Sequence, residues 1–100
     1  MNDGAATPVE GNVIFAGDYI NKLAGEQIEH EAKRRLADGC KQLTVNFSKT
    51  EIINSIGISI LLGVIDSASN KGATVVFSDV NENTVELFDM LGVSKHVTLA

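Results

Sequence analysis

A short polar segment around Ser55 runs directly into a long apolar one, and this junction constrains the fold more than any other feature. Upstream, residues 43–47 alternate between apolar and polar side chains, which predicts a strand. Downstream, residues 56–70 form too long a run for one strand, and Lys71 and Gly72 supply a helix stop signal. Ser55 is therefore expected where a loop becomes a helix, beside unpaired backbone N–H groups. That position suits an N-cap serine, and it also suits a phosphate.

The rest of the chain alternates strand and helix patterns. Strands are predicted at 12–16, 73–78 and 93–99, and helices at 20–37 and 84–91. In the first helix, acids precede bases, which predicts the ion pairs Glu29 with Lys33 and Glu31 with Arg35. Because each crossover contains a helix, the predicted fold class is α/β, with a small, mixed, mostly parallel sheet of four to five strands and helices packed on it.

A chain of 100 residues is expected to form one domain, here residues 9–100. Residues 1–8 are expected to be a flexible N-terminal arm, although residues 7–9 could pair as an edge strand.

The composition excludes several classes of partner. A formal charge of −5 argues against nucleic acid and against an anionic membrane face. The most apolar segment, residues 56–65, is about half the length that crosses a bilayer, so no direct membrane insertion is expected. The polar, acidic N-terminus does not resemble a signal peptide. With the single cysteine, Cys40, no internal disulfide can form, which fits a cytoplasmic protein.

The helix that follows Ser55 has a surplus of apolar surface. Viewed down the helix axis, its polar residues fall in one small sector, and its apolar residues cover an arc about 200° wide. A helix that packs on one face of a sheet needs an apolar arc of only somewhat over 100°. The surplus either packs against a neighbouring helix or leaves Ile56 and Ile58 accessible as a docking patch. Periodicity alone does not separate these explanations.

Enzymatic motifs are absent, so the chain is expected not to be an enzyme. A nucleophile elbow needs Gly-x-Ser-x-Gly, and Ile53 stands where its first glycine belongs. A P-loop needs a lysine directly after its last glycine, where Val64 stands. His30 lies among charged residues and is expected to be solvated, and no Cys/His cluster has metal-ligand spacing. No cofactor and no metal are expected.

Several motifs together resemble a known family. The segment Asn-Ser-Ile-Gly at 54–57, after a strand and before an Ile/Leu helix, resembles the core motif of STAS domains, as found in anti-sigma factor antagonists. Residues 85–93 resemble the family's final Leu-Phe-x-x-x-Gly helix. Gly17 and Asp18 match its Gly-acid pair after the early strand, and residues 71–73 resemble the turn into its third core strand. The resemblance covers residues 9–100.

The resemblance implies a phosphorylation switch. In the family, the serine matching Ser55 is phosphorylated by a partner that is both anti-sigma factor and serine protein kinase. The unphosphorylated antagonist binds that partner and releases the sigma factor. The implied partner-binding residues are Asp18, Asn54, Ser55, Ile56, Gly57, Ile58 and Asp79.

Three positions depart from the family pattern. Asn54 replaces the usual acid, Ile56 replaces the second hydroxyl residue, and Ile20 replaces an early acid. Because these changes remove negative charge near the serine, recognition by a kinase is expected to differ in detail.

Alternatives remain open at this stage. Ser55 is either a plain N-cap or a phosphorylation site, and Gly57 permits close approach either of the sheet or of a partner backbone. The function is either that of a phosphorylated antagonist or that of an unphosphorylated STAS subunit in a phospholipid-transfer ABC complex. A small hydrolase using Ser55 is a third hypothesis. A weak homodimer is also left open.

Overall fold

Four parallel strands form the main sheet of the computed structural model, which describes residues 12–100. The predicted arm at 1–8 and the suggested edge strand at 7–9 lie outside the described residues. In chain order the strands are β1 (Val13–Phe15), β2 (Tyr19–Ile20), β3 (Gln42–Asn46), β4 (Ile52–Ile53), β5 (Thr74–Ser78) and β6 (Thr98–Leu99). The main sheet has the order β1-β3-β5-β6, and β2 pairs with β4 in a separate parallel ladder. The predicted α/β class with a mostly parallel sheet is confirmed.

Within residues 12–100, three α-helices connect the strands. They are α1 (Lys22–Ala37), α2 (Ser55–Asn70) and α3 (Glu82–Met90), and a 3₁₀ turn at Val93–Lys95 precedes β6. Three predicted starts are wrong, and one of them is that of α3, which begins at Glu82 and not at residue 84. The first helix does not begin at Ile20, which is fully buried in β2, because Asn21 caps α1 by accepting a hydrogen bond from the Ala24 N–H. The last strand shortens to two residues because the 3₁₀ turn occupies its predicted start.

An aromatic cluster fills the core near the carboxyl ends of β3 and β5. Phe47 follows β3, Phe77 lies in β5 and Phe88 comes from α3, and all three are buried. Their ring centroids lie 5.0 to 6.2 Å apart in edge-on or tilted arrangements. Edge-on and tilted aromatic pairs contribute stability beyond that of their buried area, so Phe88 helps to anchor α3 to the core.

The β2–β4 ladder places Ser55 in the fold. The Asp18 carbonyl accepts hydrogen bonds from the N–H groups of Glu51 and Ile52, and the Ile20 carbonyl accepts one from Asn54 at 3.0 Å. These bonds join the segment before α2 to the segment before α1. The start of α2 is therefore held by backbone bonds on its amino-terminal side.

Helices α1 and α2 pack closely at Gly25. A Cβ atom at this glycine would lie 3.1 Å from Ile60 Cδ1, so Gly25 allows the isoleucine to seat against α1. Part of the surplus apolar surface of α2 is therefore covered by the neighbouring helix. Ile56 and Leu62, by contrast, stay exposed.

Ion pairs along α1 tie this helix to β1. Both predicted pairs form, with 3.7 Å between Lys33 and Glu29 and 2.8 Å between Arg35 and Glu31. Arg34 also contacts Glu31 at 2.6 Å. Arg35 in addition donates a hydrogen bond from Nη1 to the Val13 carbonyl at 3.1 Å. Glu31 thus orients an arginine that bonds to the first strand.

Glu31 should make stability depend on pH in the acid range. The hydrogen bond from Arg34, and to a smaller extent the one from Arg35, lowers the pKa of Glu31 from 4.5 to about 2. A carboxyl whose pKa is lower in the folded state contributes its full stabilisation above the unfolded pKa, and that stabilisation is lost as pH falls towards the folded pKa. Between those two values, the thermal midpoint of the wild-type chain should therefore fall more steeply than that of Glu31→Gln. If the thermal midpoints of the two proteins fell equally with pH over this range, the prediction would be contradicted.

Candidate functional site

Asn54, and not Ser55, caps helix α2. The Asn54 side-chain oxygen accepts a hydrogen bond from the Gly57 N–H at 2.8 Å, and its backbone is extended, as expected for an N-cap. Ser55 is the first residue of the helix. Of the two alternatives left open for Ser55, the plain N-cap is ruled out, because the asparagine directly before it takes that role.

The Ser55 hydroxyl is left free for other chemistry. Ser55 is exposed, and its hydroxyl makes no hydrogen bond to any part of residues 12–100. The backbone N–H groups of Ser55 and Ile56 likewise have no acceptor within that range, as expected in a first helical turn. The partial positive charge of a helix N-terminus favours an anion at this place.

Tyr19 contacts the capping residue from the side. The Asn54 side-chain N–H donates to the Tyr19 hydroxyl at 3.2 Å, and Tyr19 is placed there by its pairing with Ile52 in the β2–β4 ladder. Asn54 thus uses its oxygen for the helix and its nitrogen for Tyr19. The sequence analysis missed Tyr19, since two strands of two residues each carry no periodic signal.

Exposed apolar side chains lie on the segments that meet at the start of α2. Ile56 is 51% exposed, directly after Ser55. Leu23 and Ile56 line a shallow depression together with Asn21, Lys22, Glu26 and Asn54. Tyr19 and Ile52 extend the apolar area from the ladder. We call Tyr19, Leu23, Ile52 and Ile56, with Ser55 among them, the serine surface.

Two of the predicted partner-binding residues are inside the fold. Ile58 is only 5% exposed, so the prediction that it forms an accessible docking patch is wrong: the rotation of α2 turns it into the core. Gly57 is buried too. A Cβ atom there would lie 2.5 Å from the Ile20 carbonyl oxygen, so the close approach that needs glycine is made by β2.

The two predicted acids lie in different places. Asp18 is exposed, and its carbonyl takes part in the ladder that precedes α2. Asp79 follows β5 with a positive φ of 57° and accepts a hydrogen bond from the Asn46 side chain at 2.8 Å. The Asp79 N–H donates a hydrogen bond to the Ala100 carbonyl, and within residues 12–100 Asp79 makes no hydrogen bond to Asn54 or Ser55.

Other candidate sites are weak in this part of the chain. His30 is exposed on α1, and His96 lines a separate depression beside Asp66. Residues 12–100 contain no group of three His, Cys, Asp or Glu side chains arranged to hold a metal ion. Over the same range, no helix has both the length and the apolar character that a membrane span requires.

The assignment of the cap can be tested by substitution. Asn54→Ala should lower the free energy of unfolding by about 1 kcal/mol, because the Gly57 N–H loses its acceptor. Ser55→Ala should change it by less than about 0.5 kcal/mol, since the exposed hydroxyl has no bond to lose. Urea unfolding of both variants measures the difference. A larger loss in Ser55→Ala than in Asn54→Ala would return the capping role to the serine.

The fold and the site together define a class: a small α/β domain with a parallel sheet, whose central helix begins with an exposed serine. The family model of the STAS domain matches residues 11–100. The chain therefore belongs to the STAS domain family, as the resemblance of its motifs predicts.

Solved structures of anti-sigma factor antagonists share this fold. A putative anti-sigma factor antagonist of Thermotoga maritima, TM1081, matches with a TM-score of 0.72 and 15% identity, over 88% of this chain and 78% of that one. The unphosphorylated antagonist SpoIIAA gives 0.70 and 16%, over 88% and 76%. The phosphorylated SpoIIAA of Bacillus gives 0.68 and 18%, over 88% and 80%. At these identities the likeness establishes the fold. No curated protein matches the sequence significantly.

Proposed function

We propose that this STAS domain is a cytoplasmic signalling module of the anti-sigma factor antagonist kind, without enzymatic activity of its own. It binds an anti-sigma factor that is also a serine kinase, and phosphorylation of Ser55 switches that binding off. One observation carries the proposal: Ser55 presents an unbonded, exposed hydroxyl at the start of α2, directly before the exposed side chain of Ile56. The existence of SpoIIAA in phosphorylated and unphosphorylated forms supports it.

The start of α2 accommodates a phosphate without strain on the fold. A phosphoryl group on Ser55 adds about −1.5 to −2 charges. The free N–H groups of Ser55 and Ile56 point along the helix axis towards that end, and the helix dipole stabilises such a charge by about 0.3–1 kcal/mol. The modified protein therefore keeps its structure, and the effect of the phosphate falls on binding.

The switch acts by desolvation at the interface. Ser55 directly precedes Ile56, so we expect a partner that packs on Leu23 and Ile56 to cover Ser55 as well. Covering an unpaired phosphate costs several kcal/mol, and each 1.4 kcal/mol is tenfold in affinity. The unmodified hydroxyl carries no such cost. The two states of Ser55 therefore differ in affinity by about a hundredfold or more.

Asn54 leaves the site around Ser55 uncharged. It keeps the capping bond that an aspartate would make, but it adds no negative charge beside the serine. The phosphate then supplies all the new charge at this end of the helix. A kinase that recognises the site relies on the neutral pair of Asn54 and Tyr19 instead of an acid.

A second function is favoured by one observation. Ile56 stands where the family usually has a hydroxyl residue, and its exposure enlarges the apolar part of the serine surface. A larger apolar surface suits a permanent interface. The alternative is therefore an unphosphorylated STAS subunit of a phospholipid-transfer ABC complex, docked through the same residues.

Affinity purification from the native cells distinguishes the two functions. We expect the wild-type chain to recover a kinase-like ATPase, and Ile56→Glu to lose it because a charge enters the apolar surface. Met90→Glu is the matched control, since Met90 is 81% exposed on α3, away from Ser55. Recovery of transporter subunits in place of the ATPase would establish the alternative.

A further inference from the structure

Lys22 forms an ion pair in which the base precedes the acid. It is the first residue of α1, and its Nζ atom lies 2.8 Å from Glu26 Oε2. In the ion pairs that Glu29 and Glu31 form on the same helix, the acid precedes the base. An acid that precedes its base suits the helix dipole, whereas a lysine at the N-terminal end opposes it. The stability of α1 therefore does not account for a positive charge at its first residue.

The Lys22 side chain lies beside the segment that carries Ser55. Lys22 lines the shallow depression at the start of α2, together with Asn54 and Ile56. Those two residues directly precede and follow Ser55. Of the described residues that line this depression, Lys22 carries the only positive charge and Glu26 the only negative one. A phosphoryl group on the exposed Ser55 hydroxyl is therefore expected within reach of the long, flexible lysine side chain.

The ion pair between Lys22 and Glu26 is easily exchanged. The two side chains are 67% and 47% exposed, and a pair at such exposure contributes little to stability. A phosphate offers the lysine about −1.5 to −2 charges, against the single charge of a carboxylate. The lysine therefore gains by moving from Glu26 to a phosphate on Ser55.

We propose that Lys22 is the internal counter-ion of phosphorylated Ser55, and that it leaves Glu26 when the phosphate is added. This inference rests on the proposed function, since it concerns the phosphorylated state of the same serine. Lysine carries one positive charge, so its pair with the phosphate stays negative. Glu26 meanwhile remains in the depression without its cation. A partner that packs on Leu23 and Ile56 must then cover two negative groups, which increases the cost of binding.

A full-length chain with phosphoserine genetically incorporated at residue 55 tests the proposal by ³¹P NMR. A nearby cation stabilises the doubly charged phosphate and so lowers its second pKa, which is about 6 for phosphoserine. Lys22→Gln should therefore raise the phosphate pKa by about 0.2–0.7 at about 0.1 M salt, and the difference should shrink at about 1 M salt. Glu26→Gln should lower the phosphate pKa, because the lysine loses its competing partner and a negative charge is removed.

Lys33→Gln is the matched control. It removes the same charge from another ion pair of α1, the one with Glu29. Lys33 lies about three turns, or about 16 Å, farther along the helix than Lys22. That separation exceeds the screening length of about 10 Å at about 0.1 M salt, so the phosphate pKa should stay unchanged.

Three results would overturn the proposal: a phosphate pKa that is the same with and without Lys22→Gln, an equal rise in Lys33→Gln, or no fall in Glu26→Gln. Because Lys22 and Glu26 are exposed, the thermal midpoints of their variants should stay close to that of the unsubstituted phosphoprotein, which shows that they are folded. The phosphate is built in, so the measurement does not depend on a kinase. Failure of the proposed function would be seen separately, as a Ser55 that stays unmodified in the native cells.

Discussion

Gly57→Ala should lower the free energy of unfolding by about 2 kcal/mol. The new Cβ atom would lie 2.5 Å from the Ile20 carbonyl oxygen and 3.1 Å from the Ile20 carbonyl carbon. That carbonyl cannot move away freely, because it accepts the Asn54 N–H at 3.0 Å. Overpacking of this kind costs about 1–3 kcal/mol, and the better helix propensity of alanine offsets at most about 1 kcal/mol.

Gly63→Ala in the same helix is the matched control. Its Cβ atom would meet only Glu29 Oε2, at 3.7 Å, which is an ordinary contact with a flexible side chain. The substitution should therefore leave stability unchanged or raise it by up to about 1 kcal/mol. Urea unfolding of both variants gives the comparison. Equal effects at the two glycines would show that β2 does not restrict the start of α2.

Ser55→Asp should weaken partner binding by about a hundredfold or more while leaving the thermal midpoint close to that of the wild type. The new carboxylate lies at the N-terminal end of α2, where the helix dipole tolerates or favours it. The same carboxylate must lose its water when a partner packs on Leu23 and Ile56. Stability and binding should therefore respond differently to one substitution.

Ser55→Ala separates charge from the loss of the hydroxyl. This variant should keep binding the partner, because it adds no charge to the interface. Titration of each variant with the purified partner measures affinity, and a thermal scan measures stability. A collapsed fold in Ser55→Asp would refute a switch confined to the surface, and unchanged affinity would refute a role for Ser55 in binding.

Periodic patterns predicted the three helices and the strands of the main sheet because most of these elements are long enough to show a period, whereas the two-residue strands β2 and β4 were not predicted. The three- to four-residue spacing along α1 follows from its one buried face, and the alternation at 43–47 turns the apolar Leu43, Val45 and Phe47 to the core. The orientation of a side chain cannot be predicted from the sequence where it depends on packing. An apolar arc of about 200° on α2 permits several rotations, and only contact with α1 and the sheet decides that Ile58 is buried and Ile56 exposed.

The same reasoning explains the errors around the candidate site. Asparagine and serine are both favourable N-caps, so residue type alone does not decide whether α2 begins after Asn54 or after Ser55. The choice follows from the bond of the Asn54 N–H to Ile20, which ends the β2–β4 ladder at that residue. The same ladder brings Tyr19 beside Asn54, across 35 residues of sequence.

Phosphopeptide mass spectrometry of the protein isolated from its native cells tests the proposed switch most directly. Trypsin should release residues 50–71, which contain Ser55 together with Ser59, Ser67 and Ser69, so fragment ions must locate the modified serine. We expect phosphate on Ser55, whose hydroxyl is exposed and unbonded at the helix start. A Ser55 that stays unmodified under both growth and stress would contradict the switch and favour the permanent interface.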